Sequence, residues 1–207
     1  MFIVTIFSCK KEWPRFSFDE YISDDVDKDN RILKPGKIFR YNVMSSEHQK
    51  TSGFKFNLLS HDTLNYSDKK QSKILYTFYD SIGTIIPEYQ LTGAVDNKYN
   101  FWFHPPRFGV LKILNFAPCP YYIYDSNKEY CMQIVVGRNW LEENNKLFKE
   151  FSKFEIKHTY TPVGNEKFSY KNEIINVIKL HVKSQITNID WITYFSDMYF
   201  SDRYGFV

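Results

Sequence analysis

From Lys37 onward the chain alternates apolar and polar residues with a period of two. Phe39, Tyr41 and Val43 set the beat, followed by Phe54, Phe56 and Leu58, then Ile74, Tyr76 and Phe78. It continues through Tyr89, Leu91, Gly93 and Val95, through Tyr99, Phe101 and Phe103, and later through Phe154, Ile156, His158 and Tyr160. Successive strand side chains point to opposite faces, so each run predicts a strand with one buried face. Tyr, Phe, Ile, Val and Thr fill these runs, and they suit a pleated, half-buried surface. Ser52-Gly53, Ile82-Gly83, Asp96-Asn97-Lys98 and Val163-Gly164-Asn165 predict turns. Short strands at fairly regular spacing predict an all-β fold, a mainly antiparallel sandwich or barrel-like sheet. One stretch breaks the pattern. Trp140, Leu141, Leu147, Phe148 and Phe151 fall at helical spacing among Glu, Asn and Lys, predicting one short amphipathic helix over Trp140–Lys153. Residues 173–183, with β-branched Ile175 and Val177, are assigned to a strand.

Composition narrows the class. At 207 residues the chain is long enough for one domain with a real core and short for two. Nineteen Phe and sixteen Tyr exclude a disordered chain, and eight Gly with eight Pro exclude a collagen-like one. No run approaches the roughly 18 apolar residues of a spanning helix. The net charge of +3 is too weak to call for nucleic acid, so no nucleic-acid partner is expected. The charge is uneven, however. Residues 1–30 hold four Lys or Arg against seven Asp or Glu, a net of −3, which leaves +6 on the remainder. That basic body is either a solvated surface of both signs or a face for anionic headgroups.

The first eight residues, Met-Phe-Ile-Val-Thr-Ile-Phe-Ser, are mostly apolar, and Cys9-Lys10-Lys11-Glu12 follows at once. Ile6-Phe7-Ser8-Cys9 resembles a bacterial lipoprotein signal of the Bacteroidota kind, in which Lys residues often follow the cleavage-site Cys. Phe7 stands where that pattern usually has a small residue. The resemblance implies that residues 1–8 are a signal remnant and that Cys9 is the lipidated start of the mature protein. The membrane would then be a partner through that anchor. Residues 9–30 would form the tether, with six acids between Asp19 and Asp29, and residues 31–207 one β-rich domain. A buried first strand with a free thiol is the alternative. Asp25-Val26-Asp27-Lys28-Asp29 lacks the Gly and the distant Glu of a calcium loop. Surface-displayed members of this class resemble one another in an acidic cluster directly after the Cys. Glu12 is the one acid there, so the expected place is the outer membrane, facing the periplasm.

Trp102-Phe103-His104-Pro105-Pro106-Arg107-Phe108-Gly109 is the most distinctive stretch, with Ala117-Pro118-Cys119-Pro120-Tyr121 close behind. Four prolines remove backbone donors, so this segment must leave the sheet. With the closing Tyr204-Gly205-Phe206-Val207, it is similar to a group of uncharacterised Bacteroidota lipoproteins sharing a His-Pro-Pro-Arg turn. That resemblance brings no assigned activity. His104 and Arg107 could be presented together to an anionic ligand. The preferred, plainer reading has His104 closing the strand end and Arg107 stacking on Trp102 or Phe108.

Chemistry is otherwise sparse. His48, His61, His104, His158 and His181 include no pair at metal-ligand spacing, and no cofactor or metal is expected. Ser60-His61-Asp62 has triad residue types, but working triads assemble from distant positions. Cys119 and Cys131 are either a disulfide of an exported protein or two buried thiols. The functional expectation is a lipid-anchored cell-envelope protein with a non-catalytic binding or structural role. The alternative is an anchored envelope hydrolase with an unrecognised site.

Overall fold

A computed structural model describes residues 30–34, 37–44, 50–66, 69–106, 118–137, 153–170, 172–187 and 193–207. Among them the chain is all-β, in two curled antiparallel sheets. The first sheet runs in chain order: β1 (Ile38–Met44), β2 (Lys50–Tyr66), β3 (Lys69–Asp80), β4 (Ile85–Asp96), β5 (Asn100–Phe103) and β6 (Tyr121–Ile123). The second holds β7 (Tyr130–Gly137), β8 (Lys153–Tyr170), β9 (Glu173–Ile186), β10 (Thr193–Ser201) and β11 (Gly205–Phe206), again each beside its chain neighbour. Residues 124–129 carry the chain from one sheet to the other, and Asp125 takes a positive φ there, as short Asx side chains tolerate.

Aromatic rings fill the space between the sheets. On the six-stranded sheet Phe39 stacks on Phe56 at 4.8 Å, and Phe56 reaches Phe103 at 5.0 Å. Across the sandwich Phe101 meets Phe200 at 5.8 Å and Phe206 at 6.1 Å, while Tyr122 stacks on Phe200 at 4.1 Å. Such pairs contribute about 0.5–1.5 kcal/mol each beyond their area burial. The opposite face of β6 is buried as well, because Tyr121 sits edge-on to Tyr130 and Tyr160 at 5.3 and 5.5 Å. Thus β6 packs one face against β10 and the other against β7 and β8, while β5 turns Phe101 and Phe103 toward β10 and β11. All seven residues of β5 and β6 are buried.

Several sequence expectations hold. The alternating runs around Phe39, Phe54, Ile74 and Ile156 are strands, residues 173–183 lie in β9, and Ile82-Gly83 and Asp96-Asn97-Lys98 turn the chain. Gly83 has φ +94°, and Asn97 Oδ1 accepts the backbone N–H groups of Tyr99 and Asn100 at 2.8 and 2.9 Å. Others need correction. Ser52-Gly53 is inside β2, and Val163-Gly164-Asn165 is inside β8, where the register shifts between Pro162 and Gly164. Tyr89, Leu91 and Tyr99 face solvent, whereas Thr92 and Ala94 are buried along with Gly93 and Val95, so β4 is buried on both faces toward its end. The expected helix at Trp140–Lys153 lies outside the described residues except Lys153, which begins β8.

Candidate functional site

The proline-rich excursion leaves the end of β5 and returns to the start of β6. Its neck is closed by Phe103 N–H donating to the Pro120 carbonyl at 3.2 Å, and by His104 N–H donating to the Gly93 carbonyl at 3.2 Å. Prolines cannot donate, so carbonyls at both ends need other partners. Two buried tyrosines supply them. Tyr76 of β3 donates its hydroxyl to the His104 carbonyl at 2.6 Å, and Tyr160 of β8 donates to the Cys119 carbonyl at 2.7 Å. Burial pushes the Tyr160 phenol well above its ordinary range, so it stays a donor. One sheet therefore holds the outgoing end of the excursion and the other holds the returning end.

His104 belongs to this neck. Its ring sits edge-on to Trp102 at 4.9 Å and 84°, and its backbone bonds close the strand end. Arg107 lies outside the described residues, so the pairing of His104 with Arg107 is neither made nor broken there. Cys119 is 3% exposed and Cys131 partly buried, and no disulfide joins them in this structure. Alternation along β7 explains their separation. Tyr130 and Met132 point into the core, which places Cys131 between them on the outer face, opposite Thr159. Cys9 also lies outside the described residues.

A second constellation ties residues 30–33 to the six-stranded sheet. Ile32 and Leu33 are fully buried, and their backbone N–H groups both donate to Asp96 Oδ2 at 2.6 Å. Burial raises the Asp96 carboxyl above its ordinary 3.8, while the N–H groups of Leu33, Ile32 and Arg31 pull it back. Asn30 Nδ2 closes the turn on the Leu33 carbonyl at 3.3 Å, and the Arg31 guanidinium lies 4.1 Å over the Tyr124 ring. Residues 30–33 are thus latched to the β4–β5 turn.

A third lies on the outer face of the five-stranded sheet, where register aligns Thr161, His181 and Asp197 across β8, β9 and β10. His181 Nδ1 is 2.9 Å from Asp197 Oδ1, and Lys179 Nζ is 2.9 Å from Asp197 Oδ2. Hydrogen bonds from Lys179 and then His181 hold the Asp197 carboxyl below its ordinary 3.8. These are the residue types of a charge relay, but Thr161 donates its hydroxyl to Glu129 Oε2 at 2.8 Å. The row is a surface network whose hydroxyl is committed elsewhere, and ring contact at 5.6 Å with exposed Phe195 flanks it.

No protein-family model matches the chain, and no curated protein does. Solved structures are similar in outline. A protein of Parabacteroides distasonis ATCC 8503 provisionally described as a lipoprotein aligns at 10% identity and a TM-score of 0.49, covering 87% of this chain and 90% of its own. A provisionally described exported protein of YmcC-like fold from Bacteroides fragilis NCTC 9343 aligns at 13% identity and a TM-score of 0.44, covering 86% of this chain and 89% of its own. Neither likeness is close enough to carry a function across.

Sequence reading singled out the proline turn but not its tyrosine clamps, the Asp96 latch or the His181–Asp197 row. Asp96 is separated from Ile32 by 64 positions, and no local pattern joins them. The signal that could have found it is a lone acid between a buried-strand end and an Asn-led turn. For the His181 row, period-two placement of Thr161, Lys179 and Asp197 on polar faces was legible, but not the register.

Proposed function

We propose that this is a lipid-anchored cell-envelope protein, held at the outer membrane and facing the periplasm, whose β-sandwich has a non-catalytic binding or structural role. Cys9, set between an apolar octet and Lys10-Lys11, carries the anchoring part of the proposal. The Asp96 latch suits it, since the chain joins the body at a buried, hydrogen-bonded point and a pull on the leader would meet a fixed junction. Close ring contacts across the sandwich favour work done by the outer faces over ligand carriage between the sheets.

Expression with a complete signal and labelled fatty acid tests this. The protein should take up label and sediment with membranes, and Cys9→Ser should abolish both while leaving thermal stability nearly unchanged. An unlabelled Cys9, together with a large stability loss on deleting residues 1–12, would mean a packed N-terminal strand instead.

A further inference from the structure

The two sheets present outer faces of different character. On the five-stranded sheet acids sit among the basic side chains: Lys179 and His181 share Asp197, and Glu166 lies 3.9 Å from Lys179. On the six-stranded sheet, register places Arg40 beside Lys55, Lys55 beside Thr77, and Thr77 beside Tyr89, with Lys73 two rows along. These rows hold no Asp or Glu, and Glu88 sits in the bulge where β4 shifts register. Among the described residues, Arg40, Lys55 and Lys73 are in no ion pair. The row between runs from Ile38 at 61% exposed through Asn57 and Leu75 to Leu91 at 46%, and Tyr89 is 75% exposed.

The backbone supports this face rather than hiding it. Gly53 lies mid-strand because Tyr79 lies across it, and a Cβ there would fall 2.0 Å from Tyr79 Cε2. Tyr79 spends its hydroxyl on the Tyr41 carbonyl at 2.6 Å, so its ring lies down along the sheet, with the Arg40 guanidinium 5.9 Å over it and Tyr89 exposed beyond.

We propose that the outer face of β1–β4 docks on an anionic phospholipid surface, Arg40, Lys55 and Lys73 meeting headgroup phosphates while Tyr89 and Leu91 enter the interfacial layer. Charge complementarity selects an anionic partner. Aliphatic and tyrosine side chains on adjoining rows select a bilayer over a soluble polyanion, which offers them nothing apolar. From Cys9 to Asn30 the chain can span at most roughly 70 Å, ample for the body to reach the surface it would be anchored to. The docking does not require the anchor and is measured without it.

The test uses the full chain carrying Cys9→Ser, with vesicles of phosphatidylglycerol and phosphatidylethanolamine against vesicles of phosphatidylcholine. A cation near an anionic surface strengthens partition about fivefold, so three together give on the order of a hundredfold preference for the anionic vesicles. The preference should collapse as salt is raised and vanish in Arg40→Glu/Lys55→Glu/Lys73→Glu. Tyr89→Ser/Leu91→Ser should weaken partition while keeping the salt dependence. Equal partition to both vesicles overturns the proposal, as does a folded triple variant that binds as before. Binding to heparin without binding to vesicles also overturns it and assigns the face to a soluble polyanion. Should the triple variant not fold, the salt titration of the parent decides alone. Loss of fatty-acid labelling in the anchored form would leave these outcomes untouched.

Discussion

Asp96→Ala should be among the most destabilising single changes in the described chain. The carboxylate accepts two buried N–H groups at 2.6 Å, those of Ile32 and Leu33. Hydrogen bonds to a charged group contribute about 1.5–3 kcal/mol each, and a buried donor left without a partner costs about 1–3 kcal/mol. Two such donors put the loss at about 3–5 kcal/mol. Release of the turn would add to it, since Ile32 and Leu33 each contribute about 1.5–3 kcal/mol by burial. For a domain of this size 1 kcal/mol moves the melting temperature by about 2–4 °C, so Asp96→Ala should melt about 6–20 °C below the parent. Limited proteolysis should reveal new cleavage within residues 30–34. Asp96→Asn keeps an acceptor oxygen and should lose much less. Its pH behaviour is the sharper readout. Burial raises the folded Asp96 carboxyl above its ordinary 3.8, so in the window just above 3.8 the folded state holds more protons than the unfolded one. The contribution of Asp96 to stability therefore declines as pH rises through that window, and Asp96→Asn should abolish this decline. An Asp96→Ala protein within about 1 kcal/mol of the parent, with residues 30–34 still protected, would refute the latch.

Gly53→Ala should cost about 1–3 kcal/mol by forcing Tyr79 off the sheet, and the same change in a Tyr79→Ala background should cost nothing. Chemical denaturation of the four proteins checks this, and equal penalties in both backgrounds would dismiss the close approach. In a Cys9→Ser chain, Ellman's reagent should label Cys131 in the folded protein and Cys119 only after denaturant is added. No reactive thiol in denaturant would mean that the two are bonded.

Strands with one polar face were legible in the sequence, and strands without one were not. Phe39, Phe54 and Ile74 stand out because charged or amide residues flank them, as in Arg40, Lys55 and Lys73. Tyr121–Ile123 has no such contrast, because both its faces meet the second sheet. Thr193–Ser201 fails for the opposite reason. Its outward positions include Phe195 and Tyr199 and its inward ones Ser196, so polarity does not report burial. The glycines misled in one direction. Read as a turn, Gly53 is instead the space that a ring from the next strand occupies, and Gly164 marks a bulge. A glycine in a strand run reports the need for room or unusual dihedrals, and the chain around it does not say which.

The tyrosines connect fold to candidate site in a way that composition alone conceals. Sixteen Tyr beside nineteen Phe look interchangeable as core filler. They are not, because a buried hydroxyl must find an acceptor. Tyr76 and Tyr160 find theirs on the His104 and Cys119 carbonyls, and Tyr41 on the Phe206 carbonyl at 2.8 Å. Each of these bonds joins regular sheet to a segment that sheet pairing holds weakly or not at all: the two ends of the proline excursion and the two-residue β11. A phenylalanine at position 76 or 160 would fill the same volume and remove the hydroxyl's bond, at a cost of about 0.5–1.5 kcal/mol. Thus the proline neck owes its position to tyrosines far away in sequence, one on each sheet. The Asp96 latch works by the same rule with the roles exchanged, a sheet-end side chain accepting from an irregular segment. In both cases the irregular parts of the chain are held by buried polar groups rather than by apolar packing alone.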